Sequence, residues 1–165
     1  MPRIEGGGVS SRAVSEDHRA VEALLYEYAA RVDAADFAGV GELFAEASYR
    51  AAVGDDVMEV HGADAVRDLL TAMVAVGPSG APGTQHVVTN VVVDVGDDGT
   101  ATARSRFTVL QQTDHGGVPA IAVVAAGRYD DRFERSGDGW RFADRLIHTD
   151  LVGDLRRHLR HDPFA

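Results

Sequence analysis

The second half of the chain limits the fold more than any other feature. Residues 85–95, QHVVTNVVVDV, are dense in β-branched side chains and run into Gly96-Asp97-Asp98-Gly99, a hairpin turn. Residues 100–112 form the partner strand, and a loop around Asp114-His115-Gly116-Gly117 leads to a long strand over 120–135. Ser136-Gly137-Asp138-Gly139 makes another hairpin, and Trp140 to Thr149 returns. Strands joined by tight turns pair antiparallel. A sheet built from strands this long bends, and its concave, apolar face needs cover.

The first half supplies the cover. From Ser15 to Ala34, the residues Val21, Leu24, Leu25, Tyr28, Ala29 and Val32 recur at helical spacing and predict one buried stripe, with Ser15 or Asp17 as cap. A short second helix carries Phe37, Val40, Leu43 and Phe44, with Asp36 as N-cap. A strand over Ala47–Val53 turns at Gly54-Asp55-Asp56 into Val57–Val60, and a third helix spans Gly62 to Val76. GPSGAPGT (77–84) is a loop, and 152–161, VGDLRRHLRH, reads as a short basic terminal helix. Residues 1–14 read as a flexible arm, loosest at Gly6-Gly7-Gly8, and 15–165 as one domain. Three helices against one curved antiparallel sheet make an α+β fold with a concave cavity, the default site for a ligand.

Composition removes several chemistries. The chain has 165 residues and no cysteine, which excludes disulfides, thiol catalysis and thiolate zinc sites. All 16 basic residues are arginine, so neither a lysine Schiff base nor a P-loop is available. The net charge of −10 argues against nucleic acid or an anionic membrane as partner. No apolar run has the ~18 residues of a membrane span, and MPRIEGGGVSSRAV lacks the core of a signal peptide, so a cytoplasmic location is expected. No HxH or HExxH pattern points to a metal, and no glycine motif points to a nucleotide or flavin; no cofactor is expected.

Several short motifs share a family resemblance. Tyr28-x4-Asp33 closing the first helix, Gln85-His86 opening the first long strand, Gly127-Arg128-Tyr129-Asp130, and Asp138-Gly139-Trp140-Arg141-Phe142 together resemble the SnoaL-like branch of the ketosteroid isomerase, scytalone dehydratase and nuclear transport factor 2 superfamily, over residues 15–150. The resemblance implies a cone-shaped curved sheet wrapped around the N-terminal helices, the cystatin-like α+β barrel. It leaves activity open, because members include dehydratases, isomerases, epoxide hydrolases, polyketide cyclases and non-catalytic subunits. Scytalone dehydratase and the bile-acid dehydratases set an aspartate of the first helix beside a histidine of the sheet; Asp33 and His86 match those positions. Tyr28 matches a substrate-contacting tyrosine of the bile-acid dehydratases, and Arg145 falls near an arginine of their last strand. The further His or Asp those enzymes carry on the next strand is absent, since this chain has Phe107, Val109 and Gln111 there.

Residue chemistry bears on the same positions. Asp33 stands at a helix C-terminus, where the dipole disfavours negative charge, and burial in a cavity raises a carboxyl's pKa, so a base tuned toward neutral pH is expected. Strict alternation places His86, Val88, Asn90, Val92 and Asp94 on one mixed face, and Val87, Thr89, Val91, Val93 and Val95 on an apolar face packed against helices or another subunit. Tyr28 and Tyr49 can donate to a carbonyl or enolate oxygen, and Asn90 and Gln111 can add polar contacts; Arg145, if buried, can hold an anionic oxygen, and if exposed pairs with an acid across the sheet, the commoner fate of a strand arginine. Of the other histidines, His18, His158 and His161 are expected on exposed helix faces, while His148 could approach the cavity. These residues suit a cofactor-independent acid/base enzyme, and the resemblance implies a dehydratase, isomerase or cyclase acting on a polyketide-, terpenoid- or steroid-like substrate in secondary metabolism. The alternative is a non-catalytic module, such as the small subunit of a ring-hydroxylating dioxygenase. A homodimer through the Val-rich sheet face is expected in either case.

Overall fold

The structure, a computed structural model, describes residues 11–161. Its elements are α1 (Ser11–Asp33), α2 (Phe37–Leu43), β1 (Ser48–Val53), β2 (Asp56–His61), α3 (Ala63–Met73), β3 (Thr84–Val95), β4 (Thr100–His115), β5 (Val118–Ser136) and β6 (Gly139–Val152). One six-stranded sheet runs in the order β2-β1-β6-β5-β4-β3. The hairpins pair antiparallel, but β1 runs parallel to β6, with Tyr49 beside Arg145. No turn joins those two strands, so their direction is set by how the helices return the chain, which turn chemistry does not reveal.

The sheet bends at irregularities in register: Thr89/Val92, Val109/Leu110, Ala126/Gly127 and Arg132/Phe133. At Gly127 the neighbouring strand comes so close that a Cβ would lie 1.9 Å from the His148 carbonyl oxygen, so only glycine fits. The bulge in β3 centres on Asn90, at φ +52, and it exchanges the faces of the strand. Before it, His86 and Val88 point to the concave side; after it, Val91, Val93 and Val95 do, packed into the core. Uninterrupted alternation therefore fails here, and the Val-rich outer face expected to pair subunits does not form on β3. Exposed apolar side chains gather instead on β5 and the end of β6, at Val118, Ile121, Val123, Leu151 and Val152.

The α1 stripe covers the concave side, with Val21, Leu25, Tyr28, Ala29 and Val32 buried. The helix begins at Ser11, one turn before Ser15, so Ser15 and Asp17 are interior rather than caps. Asp17 instead accepts from Trp140 Nε1 at 2.9 Å and from Arg135 at 2.5 Å, tying α1 to the β5–β6 hairpin. The expected arm over 1–14 lies outside the described residues up to residue 10, and from Ser11 it is already helix. Asp36 caps α2, its Oδ1 accepting from the Gly39 N–H at 2.9 Å. Among the described residues no helix is long and apolar enough to cross a membrane.

The expected terminal helix over 152–161 is absent. Leu155, His158 and Leu159 have helical spacing, but one turn satisfies it: the Leu155 carbonyl accepts from the His158 and Leu159 N–H groups, both at 2.8 Å. The segment then pairs with the chain leaving α3. Val74 bridges Leu159, the Ala75 N–H donates to the His158 carbonyl at 2.9 Å, and the Arg160 N–H donates to the Met73 carbonyl at 2.8 Å. These bonds hold it as a strap across one end of the concave face.

Candidate active site

The site begins at the end of α1. The Asp36 N–H donates to the Arg31 carbonyl at 2.9 Å and the Ala35 N–H to the Val32 carbonyl at 3.0 Å, a Schellman motif. Its left-handed position is Ala35, at φ +58, where glycine is usual. This abrupt stop leaves Asp33 as the last helical residue, beside the start of β3.

There the Asp33 carboxylate is enclosed by donors. Oδ1 accepts from His86 Nδ1 at 2.7 Å and from Thr84 Oγ1 at 2.8 Å; Oδ2 accepts from the His86 backbone N–H at 2.7 Å. Burial pushes this carboxyl up, but the His86 side-chain hydrogen bond, the His86 charge, its N–H and the Thr84 hydroxyl together outweigh that, and the group lies below the usual aspartate value. The expectation of a raised pKa is thus reversed. Burial and the helix dipole alone would raise it, whereas the donors on β3 decide the sign. The carboxylate stays ionised, so the shared proton sits on Nδ1 of His86, and the imidazole is left with Nε2 as its free nitrogen.

His86, unlike Asp33, lines the cavity. The side chains are 7% and 20% exposed, with the carboxylate on the outer side of the ring. The cavity holds about 160 Å³ and is walled mainly by apolar groups, among them Val32, Leu69, Leu70, Phe107, Val109 and Ile147. Its polar edges are the imidazoles of His86 and His158, the phenols of Tyr28, Tyr49 and Tyr129, and Thr149. The Tyr28 and Tyr49 hydroxyls bond each other at 2.9 Å. Burial raises both phenols, Tyr49 well above its ordinary value, so both are protonated donors at neutral pH.

Three of the residues expected here stand elsewhere. Arg145 is fully buried but does not line the cavity. Its guanidinium makes a bidentate pair with Asp131, Nε to Oδ1 at 2.7 Å and Nη2 to Oδ2 at 2.9 Å. It lies 4.1 Å from the centroids of both the Tyr28 and Tyr129 rings and 4.9 Å from Phe142. It is therefore a support beneath two cavity tyrosines rather than a free oxygen ligand. Its partner on β5 lies opposite it across the antiparallel pair, a register a lone sequence does not give. Gln111 is buried away from the cavity, its Nε2 donating to the Pro82 and Arg157 carbonyls at 3.2 and 3.1 Å. Asn90 is exposed on the bulge. His148 pairs with Asp130 at 3.3 Å and also does not line the cavity.

Two cavity residues escape sequence reasoning as site groups. Tyr129 stands on the inward face of β5 between Gly127 and the buried Asp131, and the period-2 spacing that puts it there is visible in the sequence. His158, expected on an exposed helix face, is 8% exposed because the strap is not a helix. Among the described residues, no group of three or more His, Asp or Glu side chains could hold a metal ion.

Comparison with known proteins agrees with this architecture. The family model of the SnoaL-like domain matches residues 13–146. The chain is 22% identical to an NTF2-like protein with a cystatin-like fold from Novosphingobium aromaticivorans, covering 92% of this chain and 96% of that one, with a TM-score of 0.65. A protein of the same organism provisionally assigned as a scytalone dehydratase gives 20% identity, 88% and 91% coverage and a TM-score of 0.66. The β subunit of an aromatic-ring-hydroxylating dioxygenase, also a provisional assignment in that organism, gives 18%, 87%, 94% and 0.67. Comparison with curated protein sequences gives no match. At these identities the likeness is one of fold.

Proposed function

The chain belongs to the SnoaL-like domain family, and we propose that it is a cofactor-independent acid/base enzyme, a dehydratase, isomerase or cyclase acting on a small hydrophobic substrate. One observation carries the reading. A carboxylate outside an apolar cavity holds the imidazole inside it, Asp33 Oδ1 to His86 Nδ1 at 2.7 Å, in the tautomer that leaves Nε2 for the substrate. His86 is then the group that takes a proton next to a carbonyl, and Asp33 stabilises the imidazolium that results. The Tyr28–Tyr49 pair has two hydroxyl protons and uses one in its internal bond, so the second is available for the oxygen on which charge develops. Since desolvation keeps both phenols protonated, they stabilise charge without surrendering a proton beforehand.

Hydrogen–deuterium exchange at the α-carbon of 2-tetralone in D2O, followed by NMR, tests the proton-transfer step without knowledge of the natural substrate. The wild-type protein should accelerate exchange, and Asp33→Asn and His86→Ala should each lose about 10²-fold or more. Rates in both variants equal to wild type would remove the pair from the chemistry.

The exposed patch on β5 and β6, where Ile121 is 76% and Leu151 68% exposed, favours a second reading at the level of assembly. An apolar surface of this kind suits burial against another chain, a second copy or a larger subunit. Light scattering on the wild type and on Ile121→Asp with Leu151→Asp checks it: a wild-type protein monomeric at all concentrations would refute pairing with itself.

A further inference from the structure

Building on that reading of His86, we propose that His158 is a second catalytic residue, an imidazole N–H donor that the terminal strap holds over the cavity to bind the substrate oxygen. His158 lines the same cavity, and its ring centroid lies 6.4 Å from that of His86. A gap of this size lets the His158 N–H reach a substrate oxygen at about 2.9 Å while His86 Nε2 faces the carbon beside it. Main-chain bonds hold the backbone that carries the ring: the His158 N–H donates to the Leu155 carbonyl, the His158 carbonyl accepts from the Ala75 N–H, and the Arg160 N–H donates to the Met73 carbonyl.

The two imidazoles present opposite character. Asp33 keeps a proton on Nδ1 of His86 and leaves a lone pair toward the cavity. In His158 it is Nδ1 that is buried and has no hydrogen-bond partner. A buried N–H without an acceptor is the rarer of the two ways to leave a nitrogen unmatched, so the proton belongs on Nε2. Burial, and then the charge of His86, hold the His158 pKa down at about 4, with Asp33 acting weakly the other way; these are the titratable groups that act on it. A neutral N–H donor beside a carboxylate-backed acceptor is the pairing that enolisation or elimination uses: one ring removes the proton while the other binds the oxygen that gains charge. No bond to His158 forms, and its own proton stays in place.

Long-range ¹H–¹⁵N correlation NMR of the ligand-free protein reads each ring separately, with His158→Gln used for assignment. The expected result is His158 neutral with its proton on Nε2 from pH 5.5 to 8. A charged ring at pH 6, or a proton on Nδ1, overturns the proposal. Loss of the Nδ1–H signature at His86 overturns the preceding reading instead. Titration with 2-naphthol, a fluorescent oxygen-bearing probe, adds the functional test. His158→Leu should weaken binding about 5- to 10-fold with melting temperature unchanged or raised, and His158→Gln should restore part of it. Unchanged binding in His158→Leu would show a packing role only, and no binding by the wild type would refute the oxygen-binding role.

Discussion

Replacing Asp131 by asparagine should strip the compensation from a charge that cannot leave. Arg145 and Asp131 are both 0% exposed in their side chains and are joined by two hydrogen bonds. A buried lysine escapes such a loss by shedding its proton, but a guanidinium, with a pKa above about 12, cannot. Burial alone would lower the Arg145 pKa; the charge and hydrogen bonds of Asp131 reverse that and raise it. The amide of the Asp131→Asn variant would accept one hydrogen bond and offer no charge. Breaking a buried pair by removing one partner costs about 3–5 kcal/mol, and the rings of Tyr28, Tyr129 and Phe142, which still face the guanidinium, place the expected loss near about 3 kcal/mol. For a domain of this size that is a fall of roughly 10 °C in melting temperature. Urea denaturation followed by the fluorescence of Trp140, the single tryptophan, measures it. Removing both charges with apolar groups, Asp131→Leu with Arg145→Met, should be markedly more stable than Asp131→Asn. A loss below about 1 kcal/mol in Asp131→Asn, or a double variant no better than it, would refute the account of this pair.

Ala35→Gly relieves a left-handed alanine at φ +58 and should stabilise the protein by about 1 kcal/mol, read as a higher urea midpoint at unchanged slope. His158, at about 4 against an unfolded value of 6.5, takes up its proton later on acidification than the unfolded chain does. Stability should therefore fall as the pH drops from 6.5 towards about 4, and His158→Leu should flatten that slope in thermal melts. The carboxyl of Asp33 is depressed, so its contribution is complete above the unfolded value of 3.8 and is lost as pH falls below it; urea midpoints of wild type and Asp33→Asn should converge there.

Where local chemistry is sufficient, the chain can be read directly. The stripe from Val21 to Val32, the Asp36 cap and the two Gly/Asp hairpins each follow from neighbours within a few residues, and the elements stand where those signals put them. The differences share one cause, contacts between residues far apart in the chain. Continued alternation would put Asn90 on the cavity side with His86, and a bulge prevents it. Arg145 has the chemistry of an oxygen ligand, and nothing in its own strand announces Asp131 across the sheet. His158 has the spacing of an exposed helix face, whereas pairing with the end of α3 forms a strap.

The family resemblance pointed to Asp33 and His86, whose positions alone did not, while the sequence by itself determined an α+β domain with a curved sheet and an apolar hollow. Hydrophobic period and turn residues are local properties, and they suffice for that much. Tertiary structure alone decided that the carboxylate stays ionised outside the cavity while the imidazole faces in, that two tyrosines share a hydrogen bond, and that a second imidazole closes one end. Each of these depends on the distance between groups far apart in the chain, 21 positions in the Tyr28–Tyr49 bond and 53 in the Asp33–His86 bond, and burial and hydrogen bonding across such separations exist only once the chain has folded.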